Sequence, residues 1–151
     1  MANCDIRAAT TDDAAALSAL IQEAVRISNA RDYSAAIIDL ICANFVPGKI
    51  IEKMGRRDVF AAVDETGIVG TISLGGDRLH SMFVRARRQS QGIGRRLVAH
   101  LEAHALTKGL SSLHLSSSMT AKPFYEKLGY ELVRFEARDD GSTYLMRKSL
   151  P

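Results

Sequence analysis

Gly92 and Gly94 flank Ile93 at the end of a polar run, Gln89-Ser90-Gln91, and Arg95 and Arg96 follow at once. The apolar pattern before this run reads as a strand, and the pattern after it as a helix. The first N–H groups of a helix have no partner inside it and carry roughly half a positive charge. Glycines leave those groups uncovered, and arginines beside them add charge. The segment Gln89 to Arg95 is therefore an anion site in chemical terms, suited to a phosphate. Two nucleotide motifs do not fit. A phosphate-binding loop needs Gly-Lys-Ser/Thr, and a dinucleotide fingerprint needs a third glycine where Leu97 stands.

Arg85, Arg87, Arg88, Arg95 and Arg96 fall within twelve residues. No aromatic residues are interleaved to stack bases, so a compact anion is a better partner than nucleic acid. The whole chain is only mildly basic, with net charge +3 and an isoelectric point near 9.0. Its 151 residues suit a single domain spanning 1–151, and 46% hydrophobic residues are enough for a core. No apolar run is long enough to cross a membrane. The N-terminus lacks the features of a signal peptide, and Cys4 and Cys42 show neither disulfide nor metal spacing. A cytoplasmic protein with reduced thiols is expected.

Several elements must position the turn. Ile6 to Ala9 is a short strand, and Thr10 with Asp13 forms a capping-box variant ahead of a helix running to about Ser28. Ser34 caps a second helix that ends before Pro47, and Ile50, Ile51 and Met54 add one or two helical turns. The period then changes to two. Val59 to Val63, Ile68 to Leu74 and Leu79 to Val84 read as an antiparallel meander. A helix over about Gly92 to Thr107 is stopped by Gly109, and Leu113 to Leu115 is a buried strand. A helix near Ala121 to Leu128 has Pro123 in its first turn. Strands Glu131 to Arg138 and Ser142 to Lys148 flank the turn signal Asp139-Asp140-Gly141. The order is β-α-α-β-β-β-α-β-α-β-β, an α/β fold with a mixed, mostly antiparallel sheet flanked by helices. The strands on either side of the long helix should be parallel.

Gln89-x-x-Gly92-x-Gly94 resembles the pyrophosphate signature of the GNAT superfamily, the GCN5-related N-acetyltransferases. Phe124-Tyr125-Glu126-Lys127-Leu128-Gly129-Tyr130 is similar to a second segment of that family, and the two lie about 35 residues apart in the family's order. The resemblance is best from about Val59 to Val133. It implies that Gln89, Ser90, Gln91, Gly92, Ile93, Gly94 and Arg95 cradle the pyrophosphate of acetyl-CoA, and that the backbone of Met82, Phe83 and Val84 pairs with the pantetheine arm. Ser118 stands where the family often has an Asn; its hydroxyl has less reach but can still bond the cofactor arm. Tyr125 takes the position of the general acid that protonates the departing thiolate.

An attacking amine must be neutral although alkyl amines titrate near 10. The family often places a Glu on the strand before the glycine turn, and this chain has none there. His80, alternating with Met82 and Val84, is the leading base, with Asp77 second. His100 and His104, four residues apart, lack the zincin order and read as a solvated helix edge, so no metal is expected. The expected activity is acetyl-CoA-dependent transfer to a primary amine on a small molecule or peptide, by direct attack in a ternary complex. The alternative is a non-catalytic acyl-CoA-binding regulatory module, which would not need Tyr125. Tyr33 and Arg31 are candidates for lining the acceptor pocket, and GNAT domains commonly form homodimers.

Overall fold

In the computed structural model, which describes residues 4–137 and 143–151, the elements follow the expected order with one addition. β1 (Asp5–Ala8) leads through a short 3-10 turn into α1 (Ala14–Ser28), α2 (Ala35–Ala43) and α3 (Pro47–Met54). β2 (Asp58–Asp64), β3 (Gly67–Gly75) and β4 (Arg78–Val84) form the meander. Then come α4 (Ile93–Thr107), β5 (Ser112–Ser117), α5 (Lys122–Lys127), β6 (Glu131–Glu136) and β7 (Thr143–Ser149). The addition is that the helical turns expected at Ile50, Ile51 and Met54 form an element of their own, α3. Pro47 does not merely stop α2; it opens α3, where its missing N–H costs nothing and its fixed φ suits a first turn. The turn signal Asp139-Asp140-Gly141 lies outside the described residues.

Local rules account for most boundaries. The Oγ of Ser34 accepts a hydrogen bond from Ile37 N at 3.3 Å and caps α2. Asp13 accepts the Thr10 N–H at 2.8 Å and both arms of Arg7 at 2.8 and 2.9 Å, fastening β1 to the start of α1. These bonds, led by Arg7, hold the Asp13 carboxyl at about 2.

The described strands form one sheet in the order β1-β2-β3-β4-β5-β7-β6. Neighbours are antiparallel except β4 and β5, the crossover pair. α4 and α5 cover one face, where Ile72, Leu97, Leu101, Leu113, Leu115 and Met146 are fully buried. α1, α2 and α3 cover the other, through Leu17, Ile21, Val25, Ile38 and Ile50 against Ala61 and Ile68. Each such aliphatic side chain contributes about 1.5–3 kcal/mol relative to exposure.

Two departures from regular pairing shape the centre. β4 and β5 share a single register pair, Arg78 with His114, and then separate. β4 also carries a bulge: Thr71 faces Phe83 and Ser73 faces His80, so Ser81 and Met82 together oppose Ile72. Ser81 sits at φ 53, in the left-handed region that a non-glycine residue seldom adopts.

Candidate functional site

The separation of β4 from β5 opens a cleft of about 930 Å³. The glycine turn closes one end. Gly92 precedes α4 at φ 86, a conformation glycine adopts without cost. The first bond of the helical ladder runs from Arg96 N to Gly92 O at 3.1 Å. The N–H groups of Ile93, Gly94 and Arg95 therefore stand ahead of the ladder, and all three residues line the cleft. The site fits a phosphate group on both counts, uncovered donors and dipole.

The turn is braced by its own side chains. Gln89 Nε2 donates to Ser28 Oγ at 2.9 Å and Val84 O at 3.4 Å, joining the turn to the end of α1. Arg88 pairs with Asp64 and donates to Gln91 Oε1 at 2.9 Å. Most of the arginine cluster is thus occupied. Arg85 donates to Ile68 O at 2.8 Å and Arg96 to Cys4 Sγ at 3.1 Å. Arg96 turns away from the glycines, which corrects the expectation that both helix arginines add mobile charge beside them. Arg95 stays exposed on the rim of the cleft.

Along the cleft, Met82, Phe83 and Val84 lie on one wall and Leu115, Ser117 and Ser118 on the other. Past the Arg78–His114 pair, β4 and β5 share no ladder bonds, so each presents unpaired backbone to the space between them. Ser118 Oγ accepts the Ala121 N–H at 3.1 Å and retains its own proton for donation. Tyr125 is 5% exposed, lines the cleft, and is held edge-on by Phe124 and Tyr130 with ring centroids 5.1 and 5.8 Å away. Its hydroxyl bonds to no other described residue. Burial pushes the phenol pKa up, so it is protonated throughout the physiological range.

His80 also lines the cleft, but the bulge changes its side. Met82 and Val84 pack into the core beneath α4, Phe83 into the core beneath α1. His80 meets Arg57 over Gly75: a Cβ there would lie 3.3 Å from the imidazole and 3.1 Å from Arg57 Cγ. His80 therefore shares the α1–α3 face with Phe83, not the face of Met82 and Val84. Strict alternation fails because Ser81 and Met82 occupy one ladder step. Burial first, then Arg57, Arg78 and Arg56, lowers the His80 pKa to about 4. Asp77, the second candidate base, does not line the cleft; it sits by His114, Oδ2 to Nδ1 3.4 Å. His100 and His104 pack edge-on against Phe60, with centroids 4.7 and 5.0 Å away, and His104 also meets Asp58 at 2.9 Å. They are tied to the sheet, not loosely solvated.

The loop between α1 and α2 crosses to the far wall. Tyr33 OH accepts the Met119 N–H at 2.9 Å, and Thr120 Oγ1 donates to Asp32 at 2.6 Å. Tyr33 lines the cleft, whereas Arg31 is exposed outside it. Sequence reasoning passed over Arg78, Ser116 and Thr143, which also line it. Arg78 had a usable signal, since it lies two residues before His80 on a strand and so shares its face.

A family model described as "Acetyltransferase (GNAT) domain" matches residues 30–150. The uncharacterized N-acetyltransferase YafP of Escherichia coli (strain K12) is 28% identical over 134 residues, covering 89% of this chain and 85% of that protein. Among solved structures, a GCN5-related N-acetyltransferase (Aminotransferase, Class-II) from Rhodopseudomonas palustris superposes with TM-score 0.93 at 24% identity, covering 99% of this chain and 98% of the other. The PaiA N-acetyltransferase of Thermoplasma acidophilum, solved with coenzyme A, superposes with TM-score 0.83 at 20% identity over 98% and 99% of the two chains. The family match spans both motifs of the cleft, and the chain belongs to the GNAT acetyltransferases and is an N-acetyltransferase.

Proposed function

We propose that this chain transfers the acetyl group of acetyl-CoA to a primary amine by direct attack within a ternary complex. The observation that carries the reading is the Tyr125 phenol, protonated and without a hydrogen-bond partner among the described residues, facing a cleft that ends at the glycine turn. Coenzyme A bound to the PaiA relative supports the choice of cofactor. In this reading the N–H groups of Ile93, Gly94 and Arg95 hold the pyrophosphate, with Gln89, Ser90, Gln91 and Gly92 shaping the turn. The free backbone edge of Met82, Phe83 and Val84 pairs with the pantetheine amides, and the Ser118 hydroxyl donates to the same arm.

The amine lone pair attacks the thioester carbon, the C–S bond breaks, the departing thiolate takes a proton from Tyr125, and the phenolate regains one from solvent. The amine loses its proton to water or to His80. An imidazole with a pKa near 4 holds a proton only in passing. Burial and, second to it, the arginine field keep His80 neutral, and the same two effects favour the neutral form of an incoming amine, doing part of the work of a base.

Replacing Tyr125 with Phe tests this reading. The expected result is a fall in kcat of about 10²-fold or more with acetyl-CoA affinity kept. Unchanged turnover would remove Tyr125 from the mechanism, and an absence of transfer to any amine by the wild type would favour a regulatory acyl-CoA-binding module.

A further inference from the structure

The end of the cleft opposite the glycine turn carries positive charge that the cofactor's phosphates cannot use. Arg78 pairs with Gly75 and Val84 with Gly70, five ladder steps apart, so Arg78 lies about 17 Å along the strand from Val84 and the turn. Arg78 lines the cleft where β4 and β5 part, and its guanidinium donates to Ser116 Oγ, a neutral partner, at 2.9 Å. On the same face Arg57 lies against His80 over Gly75. Among the described residues, no carboxylate pairs with Arg57 or Arg78, and none lines the cleft. Arg56, next in the chain, is only loosely paired, 3.5 Å from Glu52. Burial is the main cause of the low His80 pKa, and Arg57, Arg78 and Arg56 lower it further, so only that second part reflects the same field.

A cleft with this charge repels a polycationic acceptor and favours one that brings its own negative charge. A guanidinium held by one hydrogen bond to a serine keeps donors free for a carboxylate or phosphate. The apolar side chains of Val25, Ile41 and Phe83, which line the same cleft, accommodate the carbon body of a small molecule. We infer that the acceptor is a small primary amine bearing an acidic group, whose carboxylate or phosphate is held by Arg78, with Arg57 reinforcing the field. This inference rests on the transfer reaction proposed above and names its substrate class.

The test uses the full chain with acetyl-CoA, following free thiol, against matched acceptors. These are leucine and phenylalanine against their amides, amino acids from glycine to 6-aminohexanoate, 2-aminoethylphosphonate, and the polycation spermine. The expected result is at least tenfold higher kcat/KM for an acid-bearing amine than for its neutral counterpart. The phosphonate arm tells phosphate from carboxylate recognition. In Arg78→Gln that preference should fall towards one, mainly through KM, while Arg78→Lys retains part of it. Neutral amines or spermine matching the acidic set would overturn the inference, as would a preference that survives Arg78→Gln. If Arg78→Gln fails to fold, the wild-type preference itself decides, with Arg57→Gln as the second variant. Acetyl-CoA bound with no turnover of any acidic amine sinks the acceptor class alone. Failure to bind acetyl-CoA sinks the cofactor reading beneath it.

Discussion

Gly94 and Phe124 are in contact: a Cβ added to Gly94 would stand 3.1 Å from Cζ of the Phe124 ring. Carbon atoms normally rest about 3.5–4.0 Å apart, so no side chain fits there without moving the ring. The two sequence motifs thus meet, the glycine turn resting on the helix that presents Tyr125. Gly94→Val should weaken acetyl-CoA binding and lower stability by about 1–3 kcal/mol. The double variant with Phe124→Ala should lose less than the sum of the single losses, because the smaller residue removes the clash. Urea denaturation of the four proteins measures the coupling, and strict additivity would mean that the contact carries no strain.

Gly92 stands at φ 86, which Asn and Asp tolerate better than other side chains. Gly92→Asp should therefore fold, with its carboxylate beside the helix N–H groups. Acetyl-CoA affinity measured by calorimetry should fall by about tenfold or more through like-charge repulsion. Gly92→Asn, of the same shape but uncharged, should lose much less. Equal affinities for the two variants would separate the turn from phosphate binding.

Behind Tyr125, the Tyr130 hydroxyl donates to Glu102 at 2.9 Å, and Lys148 Nζ reaches both oxygens of Glu102 at 3.1 and 3.0 Å. This network joins α4, the end of α5 and β7. Lys148→Met leaves a half-buried carboxylate with one partner and should cost about 1–3 kcal/mol. Glu102→Leu combined with Lys148→Met should cost less than Lys148→Met alone, because no unpaired charge remains. Urea midpoints in the reverse order would show that the carboxylate stays solvated.

The imidazole of His80 has an ordinary pKa of 6.5 and a folded value near 4. As pH falls below 6.5 the unfolded chain takes up this proton and the folded chain does not. His80 therefore leaves stability unchanged above about pH 6.5 and lowers it progressively between 6.5 and 4. Replacing it with Gln should flatten the dependence of Tm on pH in that window. A parallel pair of curves would show that His80 titrates normally.

Much of this site was legible from residue types. Glycines beside a strand end and a helix start can be read because their geometry is local, and Phe124-Tyr125 because the motif is contiguous. The parallel relation of β4 and β5 followed from a long helix between two strands. The side on which His80 lies was hidden, because period-two reasoning assumes an unbroken ladder and the bulge at Ser81 depends on pairing with β3. The employment of Arg85, Arg88 and Arg96 was hidden too, since their partners Ile68, Asp64 and Cys4 are distant in sequence. The helical turns of Ile50, Ile51 and Met54 were legible as well, and only their start at Pro47 was not. The Glu102–Lys148 pair, 46 residues apart, has no sequence signal at all.

The single register pair between Arg78 and His114 has a consequence for how the molecule holds together. The strands β1 to β4 and β5 to β7 make up two sub-sheets, joined at the seam by one ladder step, by the α4 crossover and by the cores under the helices. Native-state amide exchange on β4 and β5 measures whether the two sub-sheets open separately across the core they share. An acyl carrier laid between Met82–Val84 and β5 would bridge that seam as an eighth strand without amino acids. Under the proposed function the co-substrate would also be a structural member, and its release after each turnover would return the sheet to two halves.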